Sequence, residues 1–193
     1  NRPLHLEEDT PVDQLRPFWE STLGTGRYYL FDHWGSTSAD NLLSRVRYMA
    51  KALDCRYVIL DHLSIVVSSQ ESGDERKAID EIMTKLRTLV AETGICLFLV
   101  SHLRRSQGKA HEDGAQISLG ELRGSQAIAQ LSDIVIGMER DQQHENPDVR
   151  NTTTVRVLKN RYTGDTGPAC WLAYDRNTGR LTEVPNPHIG SDF

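Results

Sequence analysis

The sequence of 193 residues has no long apolar run, little cysteine and no excess of positive charge. Its longest apolar stretch, Ile95-Cys96-Leu97-Phe98-Leu99-Val100, falls far short of the roughly 20 residues that cross a bilayer as a helix, so a soluble protein is expected. Three cysteines, Cys55, Cys96 and Cys170, form no C-x-x-C pair and have no histidine at ligand spacing. They read as buried reduced thiols of a cytosolic protein in preference to a metal site. Lys and Arg number 22 against 27 Asp and Glu, for a net charge of −5. The bulk field therefore repels nucleic acid, and any contact with it must come from a local cluster of cations. Hydrophobic residues at 38% and charged residues at 25% exclude collagen-like and mostly disordered classes, and no repeat or low-complexity tract is present. The chain opens on Asn1-Arg2-Pro3-Leu4-His5, with neither Met nor a secretory signal, and is expected to start inside a longer protein.

What is present alternates strand and helix. Arg27 to Phe31 is β-prone after a Gly-Thr-Gly turn and predicts a strand. Ser36 to Ser38 offer helix N-caps, and Leu42, Leu43, Val46, Met49, Ala50 and Leu53 recur at helical spacing. Tyr57-Val58-Ile59-Leu60-Asp61 reads as a buried strand ending in a carboxylate. A second helix is predicted from about Asp74 to Ala91, with Ile79, Ile82, Met83, Leu86, Leu89 and Val90 inward and Thr93-Gly94 closing it. Ile95 to Val100 is another apolar strand. Two such strands joined by a helix mark a βαβ crossover in a parallel sheet covered on both faces.

After a polar loop from Arg104 to Ser118, a short helix near Gln126 to Leu131 precedes a third apolar strand, Asp133 to Glu139. Thr153 to Lys159 and Ala169 to Tyr174 alternate with period two, and Asp175-Arg176-Asn177-Thr178-Gly179 is a hairpin turn before Arg180-Leu181-Thr182. The expected fold is α/β, a parallel sheet flanked by helices with an antiparallel extension at its C-terminal edge, followed by a flexible tail over 185–193.

In open parallel sheets ligands sit beyond the carboxyl ends of the strands. Asp61 and His102 fall there, and Gln130 lies on the short helix before the third strand. An apolar strand ending in Asp has the form of a Walker-B element, whose carboxylate holds waters of a Mg²⁺ bound to nucleotide phosphates. Taken singly, Asp61 also fits a helix cap and His102 a surface histidine. Lys159 and Arg161, two apart on a strand, share a face, so two cations can meet one phosphate tail. The bland alternative is a pair of charges guarding a strand edge. Arg104, Arg105 and Lys109 gather on the loop after His102 and supply the local cationic cluster that the acidic total demands; the alternative is a merely solvated loop.

As an ordered set, Tyr57 to Ser64, Ser101-His102-Leu103, Leu122-Arg123-Gly124-Ser125, Gln130-Leu131-Ser132-Asp133 and the segment Leu158-Lys159-Asn160-Arg161 through Gly167 resemble the DnaB-like replicative helicases. The likeness is nearest to the helicase half of the primase–helicases of short-tailed phages, relatives of the mitochondrial helicase Twinkle, and it runs from about Tyr28 to Thr182. It implies a RecA-like core and a ring, usually hexameric, that translocates 5'-3' on single-stranded DNA at the replication fork, using Mg²⁺ with ATP or another NTP or dNTP.

By that resemblance Asp61 is the Walker-B carboxylate and metal residue, His102 the γ-phosphate sensor, and Gln130 part of the same relay. Lys159 and Arg161 are the pair entering a neighbouring subunit's site, with Arg161 as arginine finger. Arg140 and Tyr174 flank the nucleotide base, a tyrosine packed on an edge strand being the alternative for Tyr174. Arg104, Arg105, Lys109 and Arg123 face DNA. Ala129 stands where the phage relatives carry a basic residue. The tail ending in Phe193 matches one that docks DNA polymerase and single-strand-binding protein, and the host cytoplasm is the implied location.

No G-x-x-x-x-G-K-[ST] string occurs; the one Gly-Lys pair, Gly108-Lys109, is followed by Ala110 and has Leu103 where the first glycine belongs. Residues 1–184 are accordingly expected to be the C-terminal part of a motor domain, inactive in hydrolysis without an upstream P-loop. Competing readings are a non-catalytic ring or adaptor subunit donating an arginine finger and DNA loops, a RecA-like recombinase ATPase, and a metal-dependent hydrolase built on Asp61, His62 and His102.

Overall fold

A computed structural model describes residues 11–31, 39–63, 75–104, 108–122 and 126–187. The expected caps at Ser36 to Ser38, the loop residues Arg105 and Arg123, and the terminal Phe193 lie outside the described residues. Helices are α1 (Val12–Ser21), α2 (Ala39–Ala52), α3 (Glu75–Thr93), α4 (Gln126–Leu131) and α5 (Pro147–Arg150); strands are β1 (Tyr57–Leu60), β2 (Cys96–Leu99), β3 (Ile134–Glu139), β4 (Thr152–Asn160), β5 (Gly167–Asp175) and β6 (Arg180–Val184).

The apolar spacing read from the sequence is what packs. Leu42, Leu43 and Val46 of α2 and Ile79, Ile82, Met83, Leu86 and Leu89 of α3 are buried in one cluster with Val58 of β1, Ile128 of α4 and Val135 of β3. At the end of α3, Gly94 takes φ +72° and donates its N–H to Val90 O at 2.9 Å, the left-handed cap that glycine adopts without steric cost. The α2 and α3 helices are tied by Lys85, whose ammonium reaches Asp40 at 3.2 Å and Glu81 at 2.9 Å. These partners, Glu81 first, raise its pKa above the ordinary lysine value.

The βαβ expectation holds for β1 and β2, which pair in parallel from Tyr57↔Cys96 to Leu60↔Leu99. The cysteines are not buried as expected: Cys96 is exposed and Cys55 and Cys170 are only partly buried, because Cys96 faces the uncovered side of β2. Three further details differ. Helical packing covers one face only among the described residues: Val58, Leu60, Leu97 and Leu99 meet the core, whereas Tyr57, Ile59 and Phe98 are exposed. The third apolar strand, β3, is not laddered to β2. It pairs antiparallel with β4, giving a separate four-stranded sheet in the order β3-β4-β5-β6. Last, Arg27 to Phe31 forms no strand, because no neighbouring strand is there to bond it among the described residues; Tyr28, Tyr29, Leu30 and Phe31 stay exposed. A β-prone sequence becomes a strand only where a ladder partner exists. The β5–β6 hairpin matches the expected turn, with Gly179 N–H donating to Asp175 O at 2.7 Å.

Candidate functional site

Parallel pairing carries Asp61 and His102 to the same end of the sheet. The ladder continues one step past the strands, Val100 N–H donating to Leu60 O and Leu63 N–H to Val100 O, both at 3.0 Å, so Asp61 and His62 are held at the rim. The His62 and His102 rings meet edge-on with centroids 4.4 Å apart. His62 Nδ1 is buried without a hydrogen-bond partner among the described residues. No group of three metal-ligating side chains exists among the described residues, so Asp61, His62 and His102 do not form a protein cage. Asp61 is exposed, and a lone exposed carboxylate instead suits Mg²⁺, which keeps most of its waters and binds through one or two carboxylates plus phosphates.

Lys159 and Arg161 do point together, as their spacing requires, and what they meet is α4. Lys159 Nζ donates to Ala129 O at 2.6 Å and Gln130 O at 3.1 Å. Arg161 Nη2 donates to Gln130 O at 2.7 Å. Cations at a helix C-terminus satisfy carbonyls that lack intrahelical partners and lie at the negative end of the dipole. Gln130 is thereby in direct contact with both cations through its backbone, and its own side chain is exposed.

Asn151 is bonded by the side chain of Arg140 and by the backbone of Tyr174. Arg140 Nε donates to Arg150 O at 2.8 Å and Nη2 to Asn151 Oδ1 at 3.4 Å, while Tyr174 N–H donates to Asn151 O at 3.0 Å. Arg140, with Lys109, Arg156, Glu139, Asp141 and Trp171, lines a cavity of 410 Å³. Tyr174 does not line it, nor do Asp61, His102, Gln130, Lys159 and Arg161, so this cavity is separate from the rim of β1 and β2.

The cationic loop is fixed at both feet. Leu103 bridges Leu122, and Arg104 N–H donates to Glu121 O at 2.8 Å. Further along, Asp113 bridges Asp141, Gln142 N–H donates to Glu112 O at 2.7 Å, and Ile117 N–H donates to Glu139 Oε1 at 2.9 Å. Gly114 sits at φ +84°, where a Cβ would stand 2.7 Å from Asp141 Oδ2; both the backbone and the close approach demand glycine. Arg104 and Lys109 are exposed on this anchored loop, beside the end of β3.

The model of the DnaB-like helicase C-terminal domain matches residues 18–183. The chain belongs to that family. It is 42% identical to a DNA helicase/primase of Enterobacteria phage T3 over 188 residues, which is 97% of this chain and 32% of the phage protein. A probable plasmid replicative DNA helicase of Chlamydia psittaci is 26% identical over 66% of this chain and 27% of its own length. Among solved structures, a DnaB-like replicative helicase described with its interactions with primase superposes with a TM-score of 0.65 at 23% identity, over 80% of this chain and 36% of that one. A solved ATPase domain gives the same TM-score at 24% identity, over 80% of this chain and 54% of that one. The chain thus spans about a third of the phage protein, and the solved structures establish the RecA-like fold of this DnaB-like domain.

Asp133 closes the motif Gln130-Leu131-Ser132-Asp133 without a role of its own, and Glu139 and Arg156 stand in no motif, yet all three take part in arginine–carboxylate contacts in this domain. Asp133 takes Arg87 Nη1 on Oδ2 at 2.6 Å and Arg161 Nη1 on Oδ1 at 3.2 Å. Glu139 and Arg156 form a two-pronged pair, Nε–Oε1 at 2.7 Å and Nη2–Oε2 at 3.1 Å. The only local signal was a charge inside or beside an apolar strand, and its partner is set by strand register.

Proposed function

We propose that this domain works within an NTP-driven replicative DNA helicase, a ring of identical subunits that translocates 5'-3' on single-stranded DNA and takes its P-loop from outside residues 1–193. One observation carries the reading: in a member of the DnaB-like family, parallel pairing brings Asp61 and His102 to one rim of the sheet. Asp61 is the residue that would hold Mg²⁺ through water, and the ion would neutralise charge on the nucleotide phosphates. His102 reads the γ-phosphate from the tip of the adjacent strand, and Gln130 relays its state. Arg161, with Lys159, acts on a neighbouring subunit's phosphates. Arg140 and Tyr174 hold the base. The loop bearing Arg104, Arg105 and Lys109, with Arg123 on the next, meets the DNA backbone through cation–phosphate pairing. The tail to Phe193 docks polymerase and single-strand-binding protein, and the work takes place in the host cytoplasm.

The test joins this chain to a P-loop-bearing segment and measures DNA-stimulated NTP hydrolysis. Arg161→Ala is expected to abolish hydrolysis and leave nucleotide binding largely intact; an arginine acting in trans contributes roughly 10³–10⁵ in rate in other NTPases. Unchanged turnover refutes the finger role. Hydrolysis that never appears with any upstream segment restored, or metal-dependent hydrolysis by the chain without nucleotide, refutes the helicase reading.

A further inference from the structure

The contacts around Arg161 give a role to Asp133, the residue that closes the motif Gln130-Leu131-Ser132-Asp133. We infer that Asp133 is a positioning residue for Arg161, an inference that rests on Arg161 acting at a neighbouring subunit's phosphates. Asp133 holds Arg161 twice. Its carbonyl accepts the Arg161 backbone N–H at 2.8 Å, fixing where the chain leaves β4, and its Oδ1 accepts from Nη1 at 3.2 Å. The Gln130 carbonyl takes Nη2 at 2.7 Å. One edge of the guanidinium is thus docked on the protein while the side chain remains 46% exposed. A planar group held along one edge presents the other in a defined direction.

The geometry favours orientation over neutralisation. Asp133 is shared: Arg87 of α3 occupies Oδ2 at 2.6 Å, so the carboxylate is divided between two guanidinium groups. Lys159 lies on the same helix end at 2.6 Å from Ala129 O. Two guanidinium groups share one carboxylate and Lys159 bonds only carbonyls, so Asp133 does not cancel the charge of Arg161 by itself. Arg87 in turn braces Asp133 from α3, whose buried face is the centre of the core. The direction of Arg161 is therefore referred to the packed core of the domain, which is the condition for pre-organised transition-state stabilisation.

Two measurements test this. In the intact 193-residue chain, NMR of the arginine side chains reads rotation about the Arg161 Nε–Cζ bond. Slow rotation is expected; rotation as fast as in Arg176, an exposed arginine of the β5–β6 turn, overturns the inference without any substitution. In the NTP-hydrolysing assembly containing this chain, Asp133→Asn is expected to lower kcat roughly ten- to a hundredfold, as misplacement of a reacting group does, with KM for nucleotide little changed and partial recovery in Asp133→Glu. An Asp133→Asn enzyme with normal kcat, in an assembly where Arg161→Ala is inactive, overturns the positioning role and leaves the finger reading standing. An active Arg161→Ala enzyme removes the finger reading itself.

Discussion

Removing the Glu139 carboxylate should damage this domain more than any other single polar substitution among the contacts described. Glu139 and Arg156 meet as a fork at 2.7 and 3.1 Å, with side chains only 10% and 17% exposed, and Glu139 Oε1 also accepts the Ile117 N–H at 2.9 Å. Glu139→Ala leaves a guanidinium with little water and a backbone donor without its acceptor. Deleting one member of a buried ion pair costs roughly 3–5 kcal/mol. The residual hydration of Arg156 places the expectation at the lower end of that range, about 3 kcal/mol. Urea unfolding followed by tryptophan fluorescence measures it, Trp171 being in the wall of the adjacent cavity. The midpoint should fall with the slope unchanged. Because the cost lies in stranding a charge, the double replacement Glu139→Met with Arg156→Leu should be far milder than the sum of the two single changes. A Glu139→Ala loss below about 0.5 kcal/mol, the size of a surface pair, or strict additivity of the two changes, would refute the reasoning.

Leu86 is 2% exposed at the centre of the α3 core, and Leu86→Ala should cost about 2–5 kcal/mol in the same assay. Replacing Arg104, Arg105 and Lys109 together should weaken single-stranded DNA binding and reduce its salt slope by about 2, at roughly 0.7 for each phosphate no longer neutralised; an unchanged slope in a fluorescence-anisotropy titration removes this loop from the DNA path. Asp175 accepts from the Thr178 hydroxyl at 2.8 Å and the Asn177 N–H at 2.8 Å, which hold its carboxyl below its ordinary value of 3.8. A carboxylate whose pKa is lower folded than unfolded stabilises above the unfolded value and loses that contribution as pH falls through the folded one. The β5–β6 turn should therefore stay closed at neutral pH and loosen only below about 3.8; carboxyl ¹³C shifts of Asp175 titrating at or above that value would contradict this.

Features that depend on local periodicity were legible in the order of residues alone. The inward faces of α2 and α3 followed from residues three and four apart, the glycine closing α3 from its freedom at positive φ, and the β5–β6 hairpin from its turn residues. The ends of β1 and β2, with Asp61 and His102 beyond them, followed from the length of two apolar runs. Features that depend on pairing between distant segments emerged with the folded chain. Register placed β3 against β4 instead of β2, left Arg27 to Phe31 without a ladder, and set Arg156 beside Glu139. The contacts of Lys159 and Arg161 belong to the same class. Their shared face was legible from a spacing of two, although Arg161 lies one residue past the end of β4, and that spacing says nothing about what lies opposite. Asp133 could be recognised only once α3, α4 and β4 had brought Arg87 and Arg161 to its two oxygens, because side chains 46 and 28 positions away along the chain leave no trace in a periodic pattern.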